Sequence, residues 1–245
     1  MCYAISLTKK EREIEKSTKR QFAIPLEYQE QYHINGFKHT NLHIITQDEP
    51  KLIYPADWGL IPRYAFDDPA GFKYNTLNAR SESIFTSNTY KESAKSMRCL
   101  ILADGFFEPH HYNEKPQPYY CTLEGHKLFM FAGLYTPLDD EDFTTTIITI
   151  PANDLFEKIH NKKKRMPLVL DDQFTNDWID PSLNKKQIED LMKTGFTGST
   201  FNTYPVTNAI YKRGVDTNNP ETLKPVTPID PDMGGAEQGS LFFFK

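Results

Sequence analysis

Removal of Met1 from this chain would leave Cys2 as its first residue, with an α-amine and a thiol on the same carbon framework. Aminopeptidases remove an initiator Met readily when the second side chain is small, and Cys qualifies. An α-amine ordinarily titrates at about 7.7 and a free thiol at about 8.5, so a useful fraction of each is nucleophilic at neutral pH. Such a 1,2-aminothiol condenses with an aldehyde to an imine, which the sulfur then closes into a five-membered thiazolidine ring. Taken alone, Cys2 is more readily an inert second residue, and the chemistry depends on what accompanies it.

Four further stretches carry groups suited to such chemistry. Glu108 lies in Phe106-Phe107-Glu108-Pro109, and apolar neighbours of this kind raise a carboxyl toward the pH at which it works as an acid or base. The alternative is a surface Glu beside a turn. His160 stands before the basic run Asn161-Lys162-Lys163-Lys164-Arg165, which reads either as a helix end and an exposed loop or as a proton donor beside a phosphate-attracting edge. Asn78-Ala79-Arg80-Ser81-Glu82 is turn and capping chemistry, or an Arg held ready for phosphate. Trp58, beside Gly59, is core packing or a base-stacking surface. His110 and His111 are adjacent rather than four apart, which is poor spacing for a metal, and no metal or cofactor is expected.

The elements that must position these groups are read from periodicity. Residues 9–21 pattern as a solvated helix with Ile14 its strongly apolar residue. Between 29 and 62 short apolar stretches separated by Asn, Gly, Asp and Pro predict strands and turns. A short helix is predicted over 90–97 and a buried strand over 98–103, with Glu108 just past that strand's end. Aromatic strands at 118–123 and 128–134 and the alternating run up to Ile150 predict an antiparallel meander. Asp154 followed by Glu157 predicts a helix start, with its end near His160. A strand over 166–170, helices over 171–179 and 185–193, and a strand over 201–206 complete the domain. Its limits are set at 2–228, with a tail at 229–245 containing the apolar Leu241-Phe242-Phe243-Phe244.

Composition narrows the class. With 245 residues and 38% hydrophobic content the chain can bury a sizeable core. A net charge of −5 argues against coating nucleic acid by bulk electrostatics while leaving room for a local basic groove. The three cysteines, Cys2, Cys99 and Cys121, form no CxxC pair and no even set, which disfavours a zinc site or a secreted disulfide scaffold. Lys9-Lys10-Glu11-Arg12-Glu13 follows the first residues and excludes a signal peptide; no stretch has the length of a membrane span. A cytoplasmic monomer is the expectation.

The order of motifs is more specific than any one of them. Cys2, Trp58-Gly59-Leu60-Ile61-Pro62, Asn78-Ala79-Arg80-Ser81-Glu82, Arg98-Cys99-Leu100, Ala103-Asp104-Gly105-Phe106-Phe107-Glu108, Phe131-Ala132-Gly133-Leu134, and His160 followed by Arg165-Met166-Pro167 resemble the SOS response-associated peptidase (SRAP) family, in order, from residue 2 to about Val206. The resemblance implies a single α+β domain built on a curved, barrel-like, mostly antiparallel sheet flanked by helices. It implies an abasic-site processing activity on single-stranded DNA: Cys2, freed of Met1, forms a covalent thiazolidine link to the abasic sugar, with AP lyase chemistry open to the same site. In that reading Cys2 is the nucleophile, Asn78 positions it, Glu108 shuttles protons and His160 assists ring opening and imine formation. Arg80, Trp58, Arg165, Lys162 and Lys163 are the implied DNA-holding residues.

This sequence departs from the family pattern at three places. Cys2-Tyr3-Ala4 replaces Cys-Gly-Arg, Pro109 replaces a Trp after the Glu, and four residues rather than one separate His160 from Arg165. Two other classes stay in view: a cysteine peptidase acting in trans through Cys2 and His160, and a noncovalent binder of single-stranded nucleic acid in which Cys2 is incidental.

Overall fold

The computed structural model describes residues 2–25, 28–138, 142–195 and 200–233; the apolar run at 241–244 lies outside them. In chain order the regular elements are β1 (Ala4–Leu7), α1 (Glu11–Thr18), β2 (Gln21–Phe22), β3 (Gln31–Asn35), β4 (Asn41–Thr46), β5 (Leu52–Trp58), β6 (Asn78–Arg80), α2 (Ser93–Ser96), β7 (Arg98–Ala103), β8 (Gly105–Tyr112), β9 (Lys115–Leu123), β10 (Phe129–Pro137), β11 (Phe143–Pro151), α3 (Asp154–Ile159), β12 (Arg165–Pro167), β13 (Val169–Leu170), α4 (Asp172–Trp178), α5 (Lys185–Thr194) and β14 (Phe201–Pro205).

Two sheets share one core. The larger runs β12-β11-β10-β7-β4-β5-β2, and a further pairing of β11 with β5 bends it back on itself into a ring. That closing contact is parallel, Thr144 to Asp57 and Thr145 to Trp58, whereas the neighbouring pairings around the ring are antiparallel. The smaller sheet runs β14-β9-β8-β1-β3. The fold is α+β in one domain, sheet-rich with few helices, as the resemblance implied.

Local chemistry explains most of the elements. β7 is buried at every position, the signature of a strand covered on both faces, so its sequence is apolar without alternation. Its one charged residue, Arg98, is fully buried and gives its guanidinium hydrogens to the carbonyls of Trp178, Lys95 and Asp180 at 2.8, 2.8 and 2.6 Å, tying α4 and the following turn to the ring. α1 carries Glu11 and Glu13 in its first turn, where the helix dipole favours anions, and buries only Ile14 and Thr18. α3 starts at the Asn153 cap, whose side chain accepts from Phe156 N; α5 starts with a reciprocal capping box between Asn184 and Gln187.

Three expectations shift. The helix predicted over 90–97 shrinks to Ser93–Ser96 because residues 81–92 form consecutive turns. The strand predicted over 166–170 divides at Leu168 into β12, which pairs with β11, and β13, which pairs with β10. Glu108 does not follow a strand but sits within one: the chain reverses at Asp104 and begins β8 at Gly105. Glycine is required there because a Cβ would come within 2.3–2.4 Å of the Tyr120 ring.

Candidate active site

The amino-terminal segment is held in the middle of the smaller sheet. β1 pairs with β3 on one side and β8 on the other, with Ile5 opposite Phe106 and Ala4 opposite Asn35, and Gly36 N donates to Tyr3 O at 2.9 Å. Cys2 extends this strand into the interior, where it is fully buried. Its carbonyl accepts a hydrogen bond from Asn78 Nδ2 at 2.7 Å. Asn78 opens β6, which runs parallel to β11 with Asn78 opposite Ile147, so this bond ties the smaller sheet to the ring. Asn78 Oδ1 is buried and accepts no hydrogen bond among the described residues; leaving such an acceptor unsatisfied costs about 1–3 kcal/mol.

Glu108 is on β8, opposite Tyr119 of β9, and is fully buried. Two residues earlier on the same face Phe106 packs into an aromatic cluster, its ring 5.5–6.2 Å from those of Phe129, Phe131, Phe156 and Phe201. Burial pushes the Glu108 carboxyl up to about 7, so near neutrality it is poised between acid and base. Burial, followed by the charge of Glu108, pushes the Cys2 thiol well above its ordinary range. The thiol is therefore neutral and within electrostatic reach of the carboxyl. Cys121, opposite Phe106, responds to the same two groups after its own burial.

His160 caps the C-terminus of α3. Its Nδ1 lies 3.0 Å from Glu108 Oε2 and 2.9 Å from Arg165 O. A carbonyl can only accept, so Nδ1 carries the proton and Nε2 is the basic nitrogen. Burial is the main cause that lowers His160 to about 4, which keeps the ring neutral beside Glu108. The long spacing between His160 and Arg165 is absorbed by a turn: Lys164 takes the left-handed conformation, φ 50°, and donates to His160 O at 2.8 Å, bringing Arg165 O back to the ring.

The implied DNA-holding residues separate into two groups. Arg80 and Lys163 are exposed, and Arg80 is close enough to influence Tyr3 beside Cys2. Lys162 is at the surface in an ion pair with Glu114 at 2.6 Å. Arg165 is instead mostly covered: its guanidinium forks onto both oxygens of Glu82, at 2.5 and 3.0 Å, and reaches Thr149, so it holds the loop after β6 against β11. Trp58, implied by the resemblance as a stacking member, lies in the core. It is fully buried, its Nε1 donates to Leu77 O at 2.9 Å, and neither ring face is open to a base. Gly59 after it has φ 136°, a conformation open to Gly, which lets the chain turn away from the ring.

Sequence reasoning missed the aromatic and basic rim. Tyr3 packs against exposed Phe37 at 4.8 Å. Beside them a hollow of about 350 Å³ is lined by residues that include His33, Lys38, Tyr211, Lys212 and Arg213. Tyr211 is half exposed as a residue, yet burial and the charge of Glu108 push its hydroxyl well above the usual range, so its polar end points inward. No spacing in the sequence links positions 33–38 to 211–213; only the pairing of β1 with β3 and the return of the chain after β14 bring them together.

The comparisons with known proteins follow the same outline. The profile of a family described as SOS response associated peptidase (SRAP) matches residues 1–213. The chain is 30% identical over 209 residues to the abasic site processing protein YoqW of Bacillus subtilis, covering 83% of this chain and 90% of that one. It is 32% identical over 148 residues to the abasic site processing protein HMCES of Xenopus tropicalis, covering 50% of this chain and 43% of that one. A crystal structure of a protein from Bacteroides thetaiotaomicron superposes with a TM-score of 0.80 at 27% identity, covering 92% of this chain and all of that one.

Proposed function

This chain belongs to the SOS response associated peptidase family, and from that premise we propose that it processes abasic sites in single-stranded DNA by capturing the sugar covalently on Cys2 after loss of Met1. The observation that carries the reading is the buried constellation at the head of β1: Asn78 on the Cys2 carbonyl, and Glu108 held 3.0 Å from His160 within electrostatic reach of the thiol.

An abasic deoxyribose is mostly a closed hemiacetal. His160 Nε2 takes the proton of the anomeric hydroxyl while Glu108, protonated for part of the time at neutral pH, gives one to the ring oxygen, opening the sugar to its aldehyde. The Cys2 amine adds to C1′ and passes a proton to the Glu108 carboxylate, while the protonated His160 returns its proton to the former aldehyde oxygen, giving the carbinolamine. The Glu108 carboxyl then protonates that hydroxyl, water leaves, and the remaining N–H proton goes back to the carboxylate, leaving a neutral imine. The thiol then adds to C1′, its proton ends on the nitrogen, and the product is a thiazolidine with both S and N bonded to C1′. Elimination of the 3′ phosphate from the imine would break the strand instead, which is AP lyase chemistry. The unpartnered Asn78 Oδ1 supplies an acceptor for the freed amine. Each well-placed proton transfer contributes roughly 10²–10⁴-fold.

The protonation states favour this order over peptidase action in trans. A cysteine peptidase works with a thiolate beside an imidazolium, whereas here the thiol is raised and His160 is lowered, so both are neutral. The rim of Phe37, Lys38, Tyr211, Lys212 and Arg213 offers stacking faces and phosphate partners for an unpaired strand. The test is a single-stranded oligonucleotide with one abasic site mixed with Met1-processed protein. A species that survives denaturing electrophoresis, with the intact mass of protein plus oligonucleotide less one water, and its absence in Cys2→Ala, are expected. No such species from the unmodified protein would overturn the reading.

A further inference from the structure

The family profile ends at residue 213, but the chain beyond it returns to the strand that carries Glu108. Val226 N donates to Pro205 O at 2.9 Å, extending the edge at β14. Gln117 of β9 then grips the segment twice, its Oε1 accepting from Ile229 N at 2.8 Å and its Nε2 donating to Thr227 O at 3.1 Å. Asp230 follows, and its two oxygens divide the work: Oδ1 accepts from Asp232 N at 3.0 Å, and Oδ2 lies 2.8 Å from Nε2 of His110.

His110 is two residues after Glu108 on β8 and nearly fully buried. Its other nitrogen, Nδ1, lies 2.9 Å from the carbonyl of Lys158, two residues before His160. Both partners are acceptors, one facing each ring nitrogen. A third tie adjoins these: Asn161 Nδ2 donates to His111 O at 2.8 Å, and His111 N donates to Asn161 Oδ1 at 3.1 Å. Residues 108, 110 and 111 are thus fastened to residues 160, 158 and 161. Among the described residues, the tie of His110 is the one buttressed from outside the family-matched part of the chain, by Asp230.

We propose that His110 and Asp230 form a positioning clamp, through which the segment 226–233 sets the separation of Glu108 and His160 and keeps water from them. This rests on the abasic-site reading for its consequence in rate but not for its structural content. Neither residue touches the reacting atoms; both act through the register of β8 against the end of α3. Facing His110 are Asp230, Tyr119 of β9 with its ring 5.6 Å away, and His111. Facing Glu108 are His160, and within electrostatic reach Cys2, Cys121, Tyr3 and Tyr211.

The test uses full-length Asp230→Asn, which keeps the size of the side chain and removes its charge, and His110→Gln as a second variant. The first readout needs no DNA: the carboxyl ¹³C titration of Glu108, assigned with Glu108→Gln, moves to lower pH in both variants as water relieves its burial. The second is the pH profile of adduct formation, in which the inflection that Glu108 sets moves the same way. The adduct rate at pH 7 falls about five-fold at saturating DNA, while the concentration for half-saturation holds. Unshifted titration and profile in both variants overturn the clamp, as does a loss confined to DNA affinity or to thermal stability. If the unmodified protein forms no adduct, the function fails and the titration alone still decides the clamp.

Discussion

Glu108 is where burial and chemistry meet most directly, and its energetics can be tested apart from any substrate. In the unfolded chain a Glu ionises at about 4.3, whereas in the folded protein it holds its proton up to about 7. Between those values the folded state binds more protons than the unfolded state, so stability falls as pH rises through the window and the cost is constant above it. Glu108→Gln removes that cost. Its advantage over the unmodified protein should be near zero at pH 4 and reach on the order of 1–3 kcal/mol at pH 8, measured by thermal melts at both values, while its adduct forms at least ten-fold more slowly. A melt difference independent of pH would mean that Glu108 is hydrated. The sequence pointed to this residue because aromatics and a Pro surround it. It could not decide between buried acid and surface Glu, since that depends on Phe129, Phe131, Phe156 and Phe201 arriving from three other elements, β10, α3 and β14.

At the scale of elements, the strands were the most legible feature and their partners the least. β7, β9, β11, α3 and β14 fall within a few residues of where apolar patterning puts them, because burial on one or both faces imprints its period on the chain. Pairing leaves no such imprint. The parallel contacts of β6 and β5 with β11 join residues 69 or more positions apart, and it is β6 that delivers Asn78 to Cys2. Trp58 shows the same limit. A Trp beside Gly is usually core packing but can also line a cleft lip, and here the closing contact of β5 on β11 encloses it. Trp58→Phe should therefore lower stability, by about 1–3 kcal/mol for the lost hydrogen bond to Leu77 and the smaller ring. It should leave the affinity for an intact single strand within two-fold, as read by urea melts and fluorescence anisotropy. A selective loss of DNA binding without loss of stability would return Trp58 to the rim.

For the whole molecule, the buried His43 and His160 and the half-buried His33 shape the response to acid. His33, His43 and His160 are each lowered to about 4, with burial the leading cause. Unfolding releases them to an ordinary value of about 6.5, so below that pH the unfolded chain takes up protons that the folded chain refuses. Stability is then lost as pH falls from about 6.5 to 4, against the opposite contribution of Glu108. The melting temperature should drop over that interval, and His43→Gln, remote from Cys2 in a contact with Phe22 and Tyr28, should flatten the drop; an unchanged slope would assign acid lability elsewhere. From the sequence alone came the family, the α+β class, the second-position cysteine and the short set of acid, base and amide that could serve it, because these are carried by residue types in a fixed order. Tertiary structure alone decided that Cys2 is buried, that His160 and Arg165 meet across four intervening residues, that Trp58 is core, and that residues beyond 213 return to contact β8 and β9. Burial, protonation and contact are set by segments distant in the chain closing on one volume, and the local pattern of any one segment does not record which others it will meet.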